Sequence, residues 1–461
     1  MYKKYISLLL GILFLANCSL FKSEDKNDDD TTMALAALAI AQSSSSSSSS
    51  SSCSNTNYTE PTTTTSTTGK YKVPDTAQTS CYDSTSGDSA TCTGNKYDAD
   101  YNTINQQSYT DNGDQTITDN TTGLMWTKSP DTSTTKDGTV DSSDKMLQTA
   151  AVTYCSDLSF AGYTDWRLPD IKTLFSLMNF TGKDPSSSTS TTESNASPFI
   201  DNTKFTVGYG DTSNDERFID GQYATTSIYT YCTNLGSGNV ETMFGVNFVD
   251  GRIKGYPTSS KTFYVYCVRD NTDYGLNNFT DNNDETISDN ATNLMWQKSD
   301  AQSTDYEDAI TNCEAATTGS HSDWRLPNVK ELQSIVDYSR SPDTTSSAAI
   351  NALFNTTSFT NEGGATEYGY YWASTTHVSE GSSAVGIAGS YVCFGRCAGY
   401  IDGTYYDVHG AGSQRSNRKQ DVSNTSGASS ATDTSGNTFY YHGPQGDVLR
   451  INNMYRCVRD F

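Results

Sequence analysis

The chain has 461 residues, about three times the usual domain length, so more than one domain is expected. Thirty Lys and Arg face 54 Asp and Glu, a formal charge of −24, which leaves no basic face for nucleic acid or for an anionic lipid surface. Four histidines leave little for a His-rich metal centre, and an apolar share of 34% predicts that part of the chain builds no core.

Lys3 and Lys4 precede an apolar run from Ile6 to Ala16, which is signal-peptide length and too short to span a bilayer. The run ends Leu15-Ala16-Asn17-Cys18, which resembles a bacterial lipobox. That resemblance implies a signal peptide over 1–18, lipidation at Cys18, and a mature chain anchored to a membrane by lipid alone. Residues 19–107 then read as a disordered Ser/Thr-rich tether. Ser23–Asp30 is acidic, Ser43–Ser52 is unbroken serine and Thr62–Thr68 is nearly all Thr and Ser. Such segments bury too little apolar area to offset their ordering entropy.

Beyond the tether the chain repeats itself. Thr110–Ser129 and Thr280–Ser299 are identical at fourteen of twenty positions. Asp165-Trp166-Arg167-Leu168-Pro169 returns as Asp323-Trp324-Arg325-Leu326-Pro327, and Cys267-Val268-Arg269-Asp270 as Cys457-Val458-Arg459-Asp460. The fixed order makes this a domain duplication: copy one over 108–270, a linker over 271–277, and copy two over 278–461. Each copy reads as a hairpin or meander rich in Asn, Asp and Gly, followed by a helix, then a second helix, then loops and short Tyr-rich strands. The first helix is predicted over Asp144–Leu158, with Met146, Ala150, Val152 and Cys155 inward, and over Tyr306–Ala315. Pro169 and Pro327 suit the first position of the second helix. Its apolar faces are Ile171, Leu174, Phe175 and Met178, and Val329, Leu332, Ile335 and Val336.

These motifs, in this order and in both copies, resemble the Lcl C-terminal-type domain of bacterial surface proteins, a family similar to C-type-lectin-like folds. The resemblance implies an α+β chain of two tandem C-type-lectin-like domains, each with two helices and a short twisted antiparallel sheet. It also implies binding rather than catalysis. With Cys18 set aside, ten cysteines remain, the even number expected for disulfides in an exported protein. C-type-lectin-like domains often join the first helix to the last strand, which implies Cys155–Cys267 and Cys313–Cys457. Proximity pairs Cys81 with Cys92 and Cys393 with Cys397. Cys53 and Cys232 are left over, free to pair or to cross-link chains.

Asp111 and Asp114, with Asp281 and Asp284 in copy two, are open to two readings: turn chemistry, or a calcium site without EF-hand spacing. The binding reading calls for no cofactor beyond that possible calcium. Trp166, Arg167, Trp324 and Arg325 read as core and ion-pair residues, with Asp165, Asp323, Asp270 and Asp460 as partners. The ligand-binding candidates are Tyr368, Tyr370, Tyr371, Trp372, Tyr405 and Tyr406, set among Gly, Ser and Asn as in an antibody paratope. The alternative is that they are strand residues packing a sheet. Arg415, Arg418 and Lys419 read as a solvated basic loop. His321, His377, His409 and His442 all fall in loop-like stretches of copy two and read as solvated. Gly389–Cys393 with Cys397 resembles the formylglycine-generating enzyme family, implying a copper thiolate oxidase; a local disulfide explains the pair more simply. The whole reads as a non-enzymatic protein at the outer membrane or cell surface of a bacterium, binding an extracellular protein or glycan. A structural envelope spacer is the alternative.

Overall fold

Each copy begins and ends in one small sheet. In copy one, strands Tyr109–Asp111, Thr116–Asp119 and Leu124–Thr127 form a meander, and the closing strand Val268–Arg269 pairs with the third of them. Copy two repeats this with Phe279–Asp281, Thr286–Asp289, Leu294–Gln297 and Val458–Asp460. The pairing is why the opening and closing motifs travel together. Ile117 and Val268 flank Trp126 in register, as Ile287 and Val458 flank Trp296, and both indoles are fully buried. The left-handed corner before the third strand is Gly123 in one copy and Asn293 in the other, residues that tolerate positive φ.

The structure is a computed structural model and describes residues 70–94, 96–101, 105–133, 138–381 and 385–461. The signal peptide with Cys18, the tether as far as residue 69, and Cys53 lie outside the described residues. Among the described residues the fold is predominantly β, with four α-helices. They are α1 (Gln148–Asp157), α2 (Ile171–Phe175), α3 (Tyr306–Glu314) and α4 (Val329–Ser334). None is long and apolar enough to cross a membrane.

The second helix of each copy is capped by a side chain. Asp170 accepts from Thr173 N, and Asn328 accepts from Lys330 N and Glu331 N in a capping box with Glu331. Pro169 and Pro327 therefore precede the cap and do not occupy the first helical position. α1 is shorter than its apolar pattern predicts, because Ser142–Asp144 forms a separate 3-10 turn capped by Asp141. It buries Gln148, Ala151 and Cys155 and leaves Val152 at 40% exposure. The Cys155–Cys267 bond fixes that rotation. Cys313–Cys457 holds α3 in the same way, and the two bonds span 112 and 144 residues. Cys81–Cys92 and Cys393–Cys397 are also joined, and Cys232 is disulfide-bonded.

The copies share one eight-stranded sheet. Its order is Ala301–Gln302, Met454–Tyr455, Tyr370–His377, Ala388–Cys393 and Gln414–Arg418 from copy two, then Arg252–Pro257, Thr242–Asn247 and Gln222–Tyr223 from copy one. The junction is antiparallel, with Ile253 opposite Gln414. Antiparallel pairing of like strands relates the copies by an approximate two-fold axis, and α2 meets α4. One hydrophobic core draws on both copies. The linker is packed as well: Tyr274 is buried 4.8 Å from Tyr71, and Lys172 Nζ donates to Asn277 Oδ1 at 2.9 Å.

The described residues between 70 and 107, read from sequence as part of the tether, are an exception to that reading. They form a folded arm laid over both copies. Tyr71 N donates to Ala291 O, and Gln78 Nε2 donates to Phe180 O and Thr376 O. Asp98 accepts from Thr76 and Thr375, and buried Lys330 donates to Asp75 O and Ser176 O. Polar side chains order this arm together with a few scattered apolar anchors, Tyr71, Val73, Cys81 and Tyr97, all buried.

Among the described residues, copy two carries a five-stranded sheet with no equivalent in copy one. In copy one only residues 248–251 separate the strands Thr242–Asn247 and Arg252–Pro257, whereas in copy two residues 394–413 separate Ala388–Cys393 from Gln414–Arg418. A further insertion follows Arg418. Together they supply the five-stranded sheet, in order Thr404–Asp407, Ala398–Ile401, Asp447–Leu449, Thr438–His442 and Ser429–Thr432.

Candidate ligand cleft

The inserted sheet stands against the main sheet and leaves a cleft of about 370 Å3 between them. Phe439, Tyr440 and Leu449 line it from the inserted sheet, Phe359 and Glu362 from a neighbouring hairpin, and Tyr370 from the main sheet. Arg450–Met454, the segment leading into the last strands, completes the lining.

That segment is held by its backbone. The carbonyl of Arg450 accepts from Asn417 Nδ2, that of Ile451 from Trp372 Nε1 at 3.0 Å, that of Asn452 from Gln302 Nε2, and that of Asn453 from Ser303 N. Arg450 lies over Tyr370, 4.4 Å from the ring centroid, and 5.5 Å from that of Phe359. Its Nε donates to Glu362 Oε1 at 2.8 Å, and its Nη2 donates to Glu362 Oε2 and to Tyr405 Oη. Burial alone would raise the Glu362 carboxyl, but the adjoining guanidinium holds it below the usual carboxylate range. Arg450 Nη1, in contrast, is buried with no hydrogen-bond partner among the described residues. The same is true of both Oδ1 and Nδ2 of Asn453, a residue only 3% exposed.

The inserted sheet is bolted down by Arg415 and His409, two of the residues read as solvated, while His442 is exposed as read. Arg415, in the main sheet, pairs through Nη2 with Asp447 of the inserted sheet, and His409 Nε2 lies 2.8 Å from Asp447 Oδ1. Burial, with Arg415 alongside, pushes His409 down to about 4. Lys419 is fully buried under Tyr97 and Tyr306 and donates to Tyr82 O, with burial pushing it down to about 7. His377 is buried and sits 3.3 Å from Asp184 of copy one. A charge pattern in sequence carries no record of burial, so these groups read as loop residues when they are internal ties.

Of the six aromatic ligand candidates, Tyr370 alone lines the cleft. Tyr405 reaches it through its bond to Arg450. Tyr371 and Trp372 are core residues of a central strand and not paratope residues: Tyr371 donates to Asp300, and Trp372 pins Ile451 from behind. The half-buried Tyr368 donates to Ser346 O, and Tyr406 lies in an edge strand paired with Gly399. Arg450, Asn453, Glu362 and Phe359 were not singled out from sequence. Their one sequence signature is that copy two is longer than copy one between the shared motifs.

The four Asp calcium candidates have local partners. Asp111 pairs with Lys128 at 2.6 Å and Asp281 with Lys298 at 2.7 Å, while Asp114 and Asp284 accept from the N–H and hydroxyl of Thr116 and Thr286. Among the described residues no group of three or more His, Cys, Asp or Glu is gathered to hold a metal ion. Trp166 and Trp324 are buried and donate to Phe160 O and Thr318 O. Arg269 pairs with Asp165 and Arg459 with Asp323, while Arg325 pairs with Glu331 and, at 3.5 Å, Asp460.

The fold is thus that of a duplicated, disulfide-tied β-rich domain with a cleft built onto its second copy. Residues 115–269 and 285–458 match the Lcl C-terminal domain family, and these two matches take in more than half of the chain. The chain belongs to that family, as a tandem duplication. No curated protein and no solved structure gives a match.

Proposed function

We propose that this is an exported, lipid-anchored bacterial surface protein that binds an extracellular matrix protein or glycan through its second Lcl C-terminal domain. The observation that carries the reading is the cleft, where Arg450 Nη1 and the Asn453 carboxamide are buried without partners beside aromatic rings. The cleft is large enough for a small ligand and is lined by aromatic and polar side chains. The paired cysteines suit an oxidising compartment, and Cys18 with the preceding apolar run suits a lipid anchor. The C-type-lectin-like α+β arrangement is part of the same proposal, supported by the helix-to-last-strand disulfide in each copy. Catalysis and nucleic acid have no place in this reading.

The test is an array of glycans and matrix proteins probed with the oxidised chain, with calcium and with chelator. Saturable binding in at least one class is the expected result, and the chelator arm addresses Asp111 and Asp281. A folded chain that binds nothing would favour an envelope-spacing role. Cys18→Ser is expected to release the protein from the membrane fraction.

A further inference from the structure

We infer that Cys232 is joined to Cys53, so that the segment between the lipid and the folded arm is covalently pinned to copy one; this rests on the lipid-anchor reading above. Cys232 is disulfide-bonded. Among the described residues the other cysteines are joined to one another, as Cys81–Cys92, Cys155–Cys267, Cys313–Cys457 and Cys393–Cys397. The chain has 11 cysteines, so the partner of Cys232 is Cys18 or Cys53, the two outside the described residues. Lipid occupies the sulfur of Cys18, which leaves Cys53. The bond forms as the two thiols give two protons and two electrons to the disulfide of an oxidoreductase of the export compartment, which leaves as a dithiol.

The attachment point is a fixed one. Cys232 is buried and directly precedes the strand Thr233–Asn234, which pairs with Asn239–Val240. Just before it, Tyr229 Oη donates to Asp407 of the inserted sheet at 2.7 Å, and the hydroxyls of Thr230 and Thr344 lie 3.2 Å apart. Cys232 therefore sits on a segment of copy one that copy two holds in place.

This cysteine is no part of the shared scaffold. Ser227 Oγ accepts from Ile171 N as Thr375 Oγ1 accepts from Val329 N, which matches the two positions. Counting on from them, Glu380 holds the place of Cys232. The bonds from first helix to last strand serve the fold of each copy, whereas this one joins copy one to sequence that precedes both. Its effect falls on the tether. At full extension the chain from Cys18 to Lys70, where the described arm begins, spans about 180 Å, and from Cys18 to Cys53 about 120 Å. The bond shortens the leash and moves its attachment from the arm to copy one.

The experiment uses the full chain, exported and lipidated in a bacterium. Free thiols are alkylated, and the detergent extract is digested with trypsin without reductant. Tryptic peptides 27–70 and 218–252 each carry one cysteine, Cys53 and Cys232. The expected result by mass spectrometry is a cross-linked pair of these peptides that separates on reduction. Alkylated Cys53 and Cys232 would overturn the bond. Peptide 218–252 joined to a second copy of itself would also overturn it and leave the lipid anchor standing, whereas Cys232 joined to Cys18 would overturn both. A second arm reads the leash, with a protease site inserted between Thr64 and Thr65 and cut in isolated membranes. The folded body is expected to stay with the membrane until reductant is added, and to leave at once in Cys232→Ser. Release of the otherwise unaltered chain without reductant would overturn the pin. A chain already soluble before cutting would overturn the lipid anchor, with the bond still read by the peptide pair.

Discussion

Glu331→Thr converts copy two to copy one at one position, because Thr173 occupies that place after Arg167. The two arginines sit in the same five-residue motif with different surroundings. Arg325 is only 10% exposed and forms a bidentate pair with Glu331, Nη1–Oε2 at 2.6 Å and Nη2–Oε1 at 2.7 Å. Burial pulls the Arg325 guanidinium down, and the Glu331 charge more than restores it, so it ends above its ordinary value. Arg167 has no such carboxylate and donates to Asp270 O near the surface. Removing one member of a buried pair costs about 3–5 kcal/mol, since the remaining charge stays desolvated. Asp460, 3.5 Å away and half-exposed, retains part of the interaction. The lost bond from Glu331 Oε2 to Asn328 N opens the α4 capping box and adds to the cost. The expected destabilisation is therefore about 3 kcal/mol.

Equilibrium urea denaturation followed by tryptophan fluorescence measures it, with Arg167→Ala as the matched control, expected to cost under about 1 kcal/mol. The double variant Arg325→Met with Glu331→Leu removes both charges together and is expected to stay within about 1 kcal/mol of wild type. If Glu331→Thr lost less than about 1 kcal/mol, or if the double variant lost as much as the single, the buried-pair account would be refuted.

Replacing Cys313 and Cys457 together by Ala opens a 144-residue loop, and the chain-entropy relation puts the loss at about 5 kcal/mol, read as a fall in urea midpoint with a larger m, since the unfolded chain expands. Stability is expected to rise between pH 7.5 and 8.5, below the range in which unfolded tyrosines ionise while the buried ones, raised by burial, do not. Folded Lys330 and Lys419 release their protons near about 7 while the unfolded lysines hold theirs to the ordinary range, so the unfolded chain binds more protons across that window. Lys419→Met should flatten the rise, and a midpoint falling with pH would contradict it. Asp323→Ala and Asp165→Ala, which break pairs with Arg459 and Arg269 at exposed carboxylates, are each expected to leave the urea midpoint close to that of wild type in the same assay.

What sequence showed was whatever the two copies share. The opening and closing motifs are neighbouring strands of one sheet, so their repetition reports the fold directly, and the buried Trp126 and Trp296 mark its core. Ile171, Leu174, Phe175 and Met178 are all buried, because a helix face is a local pattern. The arm was not visible, since Asp75, Thr76, Gln78 and Asp98 are ordered by partners hundreds of residues away, as when Gln78 bonds Thr376. The cleft was not visible for the same reason. Glu362 and Arg450 are 88 positions apart, and the insertions that bring them together have no counterpart in copy one.

The divergence of the copies bears on where function resides. After duplication, both copies kept the disulfide, the buried Trp and the capped second helix, which are requirements of folding. They parted at Phe263 and Asn453, which hold the same backbone position. A phenyl ring there contributes core burial, whereas an unpartnered buried carboxamide costs about 1–3 kcal/mol per unsatisfied group. A stability argument alone would make copy two resemble copy one. Copy two instead adds a five-stranded sheet and the buried Arg415–Asp447–His409 tie that holds it, and both serve to wall the cleft around that carboxamide. On the binding reading proposed above, stability lost at one residue and structure added around it act on the same place. Substituting Phe263 by Asn in copy one should then destabilise without creating binding, because no second wall exists there to face it.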